Sequence, residues 1–208
     1  MVKISFSIPN LMTLFRVMMI PVLILLLREP SDAMFRAAFY LFVFAAITDY
    51  FDGLIARAFG NVSDFGKLMD PIADKILVIS TLVMLVAIRD PLYGDSWVPA
   101  WMVVLVIVRE IWVTGLRGVA ATAGLVVAAG ASGKVKSFLQ MFAIGAFLLN
   151  DFVLDLGVLQ LPARFVGLNC MLISLFFSYW GAVQYTQLVF GWNPEEESAQ
   201  TTPQDPQA

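Results

Sequence analysis

The 208-residue sequence has no histidine and a single cysteine, Cys170. Without imidazole, proton transfer falls to carboxylates, Lys, Tyr, Cys or water, and any metal must be held by other ligands. One cysteine forms no intrachain disulfide, and its place in an apolar run suits burial in a helix. Charge is scarce too: Asp, Glu, Lys and Arg make up 14% of the chain against 60% hydrophobic residues, with a mean hydropathy of +0.82. Such a chain has too little polar surface to cover a water-facing globule, so its expected solvent is the bilayer. The net charge of −3 includes three adjacent glutamates near the C-terminus. No basic patch with interleaved aromatics occurs, and a nucleic-acid partner is not expected. Nor does the chain open on a basic stretch, a short apolar run and a cleavage site. Pro9, Asn10 and Arg16 interrupt that pattern, and the N-terminus is expected to stay uncleaved.

What is present is a series of apolar runs approaching the ~20 residues that a helix needs to cross ~30 Å of hydrocarbon. Read between helix breakers, they predict an all-α integral membrane protein with six transmembrane helices, at Leu11–Leu27, Met34–Phe59, Ile72–Ile88, Val98–Val119, Phe138–Phe152 and Phe165–Phe190. Residues 1–192 then form one membrane domain. Residues 193–208, rich in Glu, Gln, Thr and Pro, cannot recover their ordering entropy by burial and read as a disordered tail. A cytoplasmic N-terminus puts nine cations on or near that side (Lys3, Arg16, Arg57, Lys67, Lys75, Arg109, Arg117, Lys134, Lys136) against four outside (Arg28, Arg36, Arg89, Arg164). This obeys the positive-inside rule, and an even number of spans returns the C-terminus to the cytoplasm.

The chemistry concentrates in the segment TDYFDGLIARAFGNVSDFGKLMDPIADK. Asp49, Asp52, Gly53, Ala56 and Arg57 share one helix face at the cytoplasmic end of the second span. Asp70 and Asp74 stand one turn apart at the start of the third, and two helices joined by a short turn bring the pairs together. Four carboxylates at a membrane interface repel one another unless a cation lies between them, and hard divalent ions such as Mg²⁺ or Mn²⁺ take oxygen ligands. Gly53 and Ala56 leave room for a phosphate or ribose to approach the backbone, and Arg57 can fork onto a phosphate oxygen. Taken singly, each residue has an ordinary explanation. Asp70 before Pro71 makes a good N-cap, Asp64 suits loop polarity, small residues serve helix packing, and Arg57 marks a boundary. Their joint register is what points to a site.

The spacing D-x2-D-G-x2-A-R-x8-G-x3-D-x3-D, met by Asp49, Asp52, Gly53, Ala56, Arg57, Gly66, Asp70 and Asp74, resembles the signature of the CDP-alcohol phosphatidyltransferase family. That resemblance implies a six-helix membrane fold, usually homodimeric, in the inner or plasma membrane. It implies two metal ions held by Asp49, Asp52, Asp70 and Asp74 in a cavity open to the cytoplasm, with Asp74 also the base. A CDP-activated lipid, CDP-diacylglycerol, would lie against Asp49, Asp52, Gly53, Ala56, Arg57 and Gly66.

IPNLMTLFRVMMIP, ADKILV, REIWVTGLR and GKVKSFLQM resemble the branch of that family whose acceptor is glycerol 3-phosphate. Arg109, Arg117, Lys134 and Lys136 suit an anionic acceptor, since cations in or beside apolar spans need a counter-charge. They also have simpler explanations, as topology markers or headgroup anchors, or for Arg109 an ion pair with Glu110. Two alternatives stay open: the same chemistry on serine, inositol phosphate or another acceptor, and a cation or proton transporter that uses the acids as ion sites.

Overall fold

In lipid, a segment must satisfy its own backbone hydrogen bonds, and apolar runs of this length do so as helices. The computed structural model describes residues 8–29, 31–59, 64–90, 94–122, 131–150, 152–155 and 160–191; within them, the side chains of 8–13, 49–59, 64–71, 131–132 and 154 fall outside the description. The helices are α1 (Ile8–Arg28), α2 (Asp32–Phe59), α3 (Asp64–Ala87), α4 (Ala100–Thr122), α5 (Ala131–Leu148) and α6 (Ala163–Phe190). The predicted tail at 193–208 lies outside the described residues.

Each predicted span overlaps one helix, and the differences lie at the ends. α3 begins at Asp64, eight residues before the predicted Ile72, so Asp64 and Gly66 belong to the helix and Asp70 lies inside it. The N-cap expectation for Asp70 is therefore overturned: the helix begins six residues earlier and runs on through Pro71, whose position lacks a backbone N–H to donate. α5 begins at Ala131, seven residues before the predicted Phe138, so Gly133, Lys134 and Lys136 are helical; its end at Leu148 leaves Phe152 outside. Between the fifth and sixth helices, where no strand was predicted, β1 (Val153–Asp155) and β2 (Gln160–Pro162) pair antiparallel and lead into α6.

Local chemistry explains several ends. Ser31 caps α2: its hydroxyl accepts from the Met34 N–H at 3.4 Å, and its carbonyl from the Phe35 N–H at 2.8 Å. α6 ends at Gly191 in the left-handed conformation (φ 63°), a position that suits a residue without Cβ, and its N–H returns to the Gln187 carbonyl. Opposite the aspartate-bearing ends, Arg164 ties the α3–α4 connection to α6. It pairs with Asp90, donates to Asp95 at 3.1 Å and to the carbonyls of Ser96 (2.9 Å) and Trp97 (3.0 Å), and lies over the Trp97 ring. The Trp97 indole donates to the Phe147 carbonyl at 3.0 Å, which pins α5 to the same end.

α1 packs on α2 and α3, and α6 packs on α5 and α4; these two halves meet where α3 touches α4 and α5 and where α2 touches α5. The core between them holds Leu23, Phe42, Leu82, Leu85, Ile144, Phe147 and Met171. Gly167 permits the closest approach, for a Cβ there would lie 2.7 Å from the Phe147 ring and 3.1 Å from the Ala143 carbonyl. An apolar cavity of about 710 Å³, lined among others by Phe39, Phe42, Ile47, Met141, Phe142 and Val166, opens between α2, α5 and α6. Leu14, Met18, Tyr40, Ile111, Trp112, Phe176 and Trp180 are among the large apolar side chains turned outward. Among the described residues, one helix, Ala163–Phe190, is by itself both long and apolar enough to cross a membrane.

Candidate active site

α2 carries Asp49, Asp52, Gly53, Ala56 and Arg57 in its last turns, and α3 carries Gly66, Asp70 and Asp74 in its first three. The signature thus occupies two consecutive helix ends separated by residues 60–63. The backbone is helical through both acidic pairs, so the spacings 49/52 and 70/74 place each pair on one face. Of these eight, only Asp74 has a described side chain. It is half-exposed, and its Oδ1 accepts from the guanidinium of Arg16 at 2.6 Å. Arg16 itself is buried, with 3% of its side chain exposed, and it arrives from α1. Sequence reading had counted Arg16 toward topology and an uncleaved N-terminus, without a role beside the aspartates. The usable signal was an arginine in the middle of an apolar run, which in a membrane helix calls for a partner.

Next to Asp74 in the chain, Lys75 faces a second cluster. Its Nζ donates to the Thr114 hydroxyl and lies 3.9 Å from Glu110 Oε2. Glu110, buried in the middle of α4, also pairs with Lys136 of α5 and accepts from Arg109 at 3.2 Å. Further bonds hold this group in place. The Thr114 hydroxyl donates to the Glu110 carbonyl at 2.6 Å, Arg109 Nε to the Ser178 carbonyl of α6 at 3.1 Å, and the Ser174 hydroxyl to the Lys136 carbonyl at 3.0 Å. Three helices, α3, α4 and α5, therefore meet at one carboxylate, and α6 braces two of its partners.

Of the four cations expected at the acceptor, two meet on one carboxylate in the structure and two make no ion pair with it. Arg109 and Lys136 come together on Glu110, and Arg109–Glu110 is the ion pair that was its alternative explanation. Arg117, two turns further along α4, is exposed and lies 5.9 Å above the Tyr185 ring; Lys134 is exposed at the start of α5. Lys75 and Thr114 are the additions that sequence reading missed. Lys75 had been legible as the residue after Asp74, but nothing in the spacing joins it to α4.

Three cations around one carboxylate leave an excess of two positive charges among these four groups, all nearly covered except Lys75, which is partly open to solvent and directly follows Asp74 in the chain. Uncompensated buried charge is costly, so such a group suits an anionic ligand. A phosphate fits the Arg and Lys donors.

Residues 6–183 match the CDP-alcohol phosphatidyltransferase family model. The chain belongs to that family. Among curated proteins it is similar to a CDP-diacylglycerol–glycerol-3-phosphate 3-phosphatidyltransferase of Bacillus subtilis, 37% identical over 90% of this chain and 92% of the relative. A protein of the same name from Rickettsia felis is 39% identical over 72% of this chain and 78% of its own length. A probable phosphatidylglycerophosphate synthase of Mycobacterium tuberculosis is 40% identical over 69% and 66%. The family consists of membrane enzymes that are generally dependent on divalent metal. Membership places the chain among the phosphatidyltransferases and sets aside the ion-transport alternative.

Proposed function

We propose that the chain transfers the phosphatidyl group of CDP-diacylglycerol to glycerol 3-phosphate, forming phosphatidylglycerol phosphate and CMP. The observation that carries this reading is the cation group around Glu110, one member of which, Lys75, directly follows Asp74 in the chain, an arrangement that suits an anionic acceptor next to the signature carboxylates. The names of the similar proteins support the same pair of substrates.

The donor set of Asp49, Asp52, Asp70 and Asp74, four carboxylates with no imidazole or thiolate, fits Mg²⁺ or Mn²⁺ and would hold two such ions. Bound there, divalent metal would neutralise the diphosphate and the charge that develops on the departing CMP. Around it, Gly53, Ala56 and Gly66 leave the donor space against α2 and α3, and Arg57 holds a phosphate oxygen. The apolar cavity between α2, α5 and α6 begins two residues from Asp49, at Ile47, and suits an acyl chain. Arg109, Arg117, Lys134 and Lys136 receive the acceptor phosphate, with Lys75 added to them. The free hydroxyl then meets Asp74, which takes its proton as the oxygen attacks the phosphorus that carries diacylglycerol. Arg16 holds Asp74 in place for that step.

The same reading puts all six helices of residues 1–192 across an inner or plasma membrane, with both termini and the site on the cytoplasmic side and residues 193–208 as a tail. Two copies form a homodimer. At the cytoplasmic face, soluble glycerol 3-phosphate and CMP exchange freely while acyl chains stay in lipid. Purified protein given labelled CDP-diacylglycerol and a panel of glycerol 3-phosphate, serine, inositol phosphate and free glycerol tests it. Metal-dependent transfer to glycerol 3-phosphate is expected. A preference for another acceptor overturns the acceptor assignment, and activity that survives a chelator overturns the metal site.

A further inference from the structure

Glu110 does more than hold helices together: the geometry points to a positioning residue that arrays three cations for the acceptor phosphate. This inference rests on the acceptor reading above and adds to it a residue that carries the wrong charge to bind the substrate.

Lys75, Arg109 and Lys136 come from three helices, and without an acid among them they would repel one another and turn toward water. Glu110 gathers all three. Oε1 serves Lys136 and Arg109, and Oε2 faces Lys75, whose ammonium is also held by Thr114. Each cation keeps donors to offer. A lysine has three and an arginine five, while Lys136 gives one to Glu110, Lys75 gives one to Thr114, and Arg109 gives two, to Glu110 and Ser178. One carboxylate against three cations leaves a net charge of about +2, which matches a phosphate monoester dianion and exceeds what a serine or a free polyol could compensate. The Thr114 hydroxyl, donating to the Glu110 carbonyl and accepting from Lys75, fixes the orientation of the lysine that follows Asp74 in the chain. The acid thereby sets the placement of the acceptor relative to the base without touching either.

The test compares wild type, Glu110→Gln, Glu110→Asp and Thr114→Val in detergent micelles, with KM measured separately for each substrate and Tm recorded with and without inorganic phosphate. Gln keeps the shape and removes the charge. The expected result is a glycerol 3-phosphate KM raised tenfold or more in Glu110→Gln, about threefold in Thr114→Val, and partly restored in Glu110→Asp. The KM for CDP-diacylglycerol should stay within about twofold. Inorganic phosphate should raise the Tm of wild type and not of Glu110→Gln, because a ligand stabilises only the state that binds it. A lowered Tm with an unchanged glycerol 3-phosphate KM, or equal losses for both substrates, overturns the inference and makes Glu110 an ordinary structural ion pair. Should Glu110→Gln not fold, an unchanged glycerol 3-phosphate KM in both Glu110→Asp and Thr114→Val overturns it as well. A wild type that ignores glycerol 3-phosphate overturns the acceptor reading and this inference together, whereas normal use by wild type with unaffected variants overturns the inference alone.

Discussion

Asp74 is the residue at which the proposed roles can be separated. Asp49→Asn, Asp52→Asn and Asp70→Asn each remove a charged oxygen ligand and are expected to lower turnover to near background in folded protein; near-normal activity in two of them would sink the metal assignment. Asp74→Asn is expected to depress kcat strongly while CDP-diacylglycerol still binds in the presence of metal, as checked by equilibrium binding of labelled donor. Arg16→Leu takes away the guanidinium 2.6 Å from Asp74. Because Asp74 is half-exposed, the stability cost is expected to be modest, about 1 kcal/mol, and the larger effect should be on kcat. On the acceptor side, Arg117→Ala and Lys136→Ala should each raise the glycerol 3-phosphate KM about tenfold, the loss of a charge-assisted bond. The two should differ in Tm: Lys136 is buried against Glu110 and Arg117 is exposed, so only the former should also destabilise.

Helix register made the acidic pairs legible in sequence, because i, i+3 and i, i+4 spacings state a shared face before any coordinates exist. Helix starts were less legible. Asp70-Pro71 looked like a beginning, since proline is well suited to the first turn, yet α3 starts six residues earlier, where sequence alone offered only loop-like polarity at Asp64. The Glu110 cluster was half visible. Glu110 stood out as a charge inside an apolar span with Arg109 beside it, but its partners Lys75 and Lys136 come from helices far apart in sequence, and such tertiary neighbours leave no periodic trace. The hairpin at Val153–Asp155 and Gln160–Pro162 is too short for an alternation to be recognised. One element-level contact invites a direct test. Gly167→Leu would force the α5–α6 crossing apart at Phe147, an overpacking expected to cost about 1–3 kcal/mol. A lowered Tm, partly recovered by adding Phe147→Leu, checks it; no change in Tm would mean that α5 and α6 are not so closely packed there.

Across the whole molecule, α1, α3, α4 and α5 carry charge at or near the chemistry and rely on their neighbours to hide it. Insertion is expected to orient the Arg164–Asp95 cluster outward and Lys134 inward. In a Cys170→Ala background, a cysteine at Asp95 should react with an impermeant thiol reagent in intact cells, and one at Lys134 only after the membrane is opened. The reverse pattern would invert the topology. The two packing halves, α1–α3 and α4–α6, bear on what the bilayer itself can do. On the proposed assignment the donor carboxylates ride on the first half and most acceptor cations on the second, so the attacking oxygen would reach across the seam where α3 meets α4 and α5. Lateral pressure acting across that seam would narrow it when the lipids pack tightly. Turnover, more than the affinity for either substrate, is therefore expected to follow the unsaturation of the surrounding lipid in reconstituted vesicles, which would make the enzyme responsive to the packing of the membrane it builds.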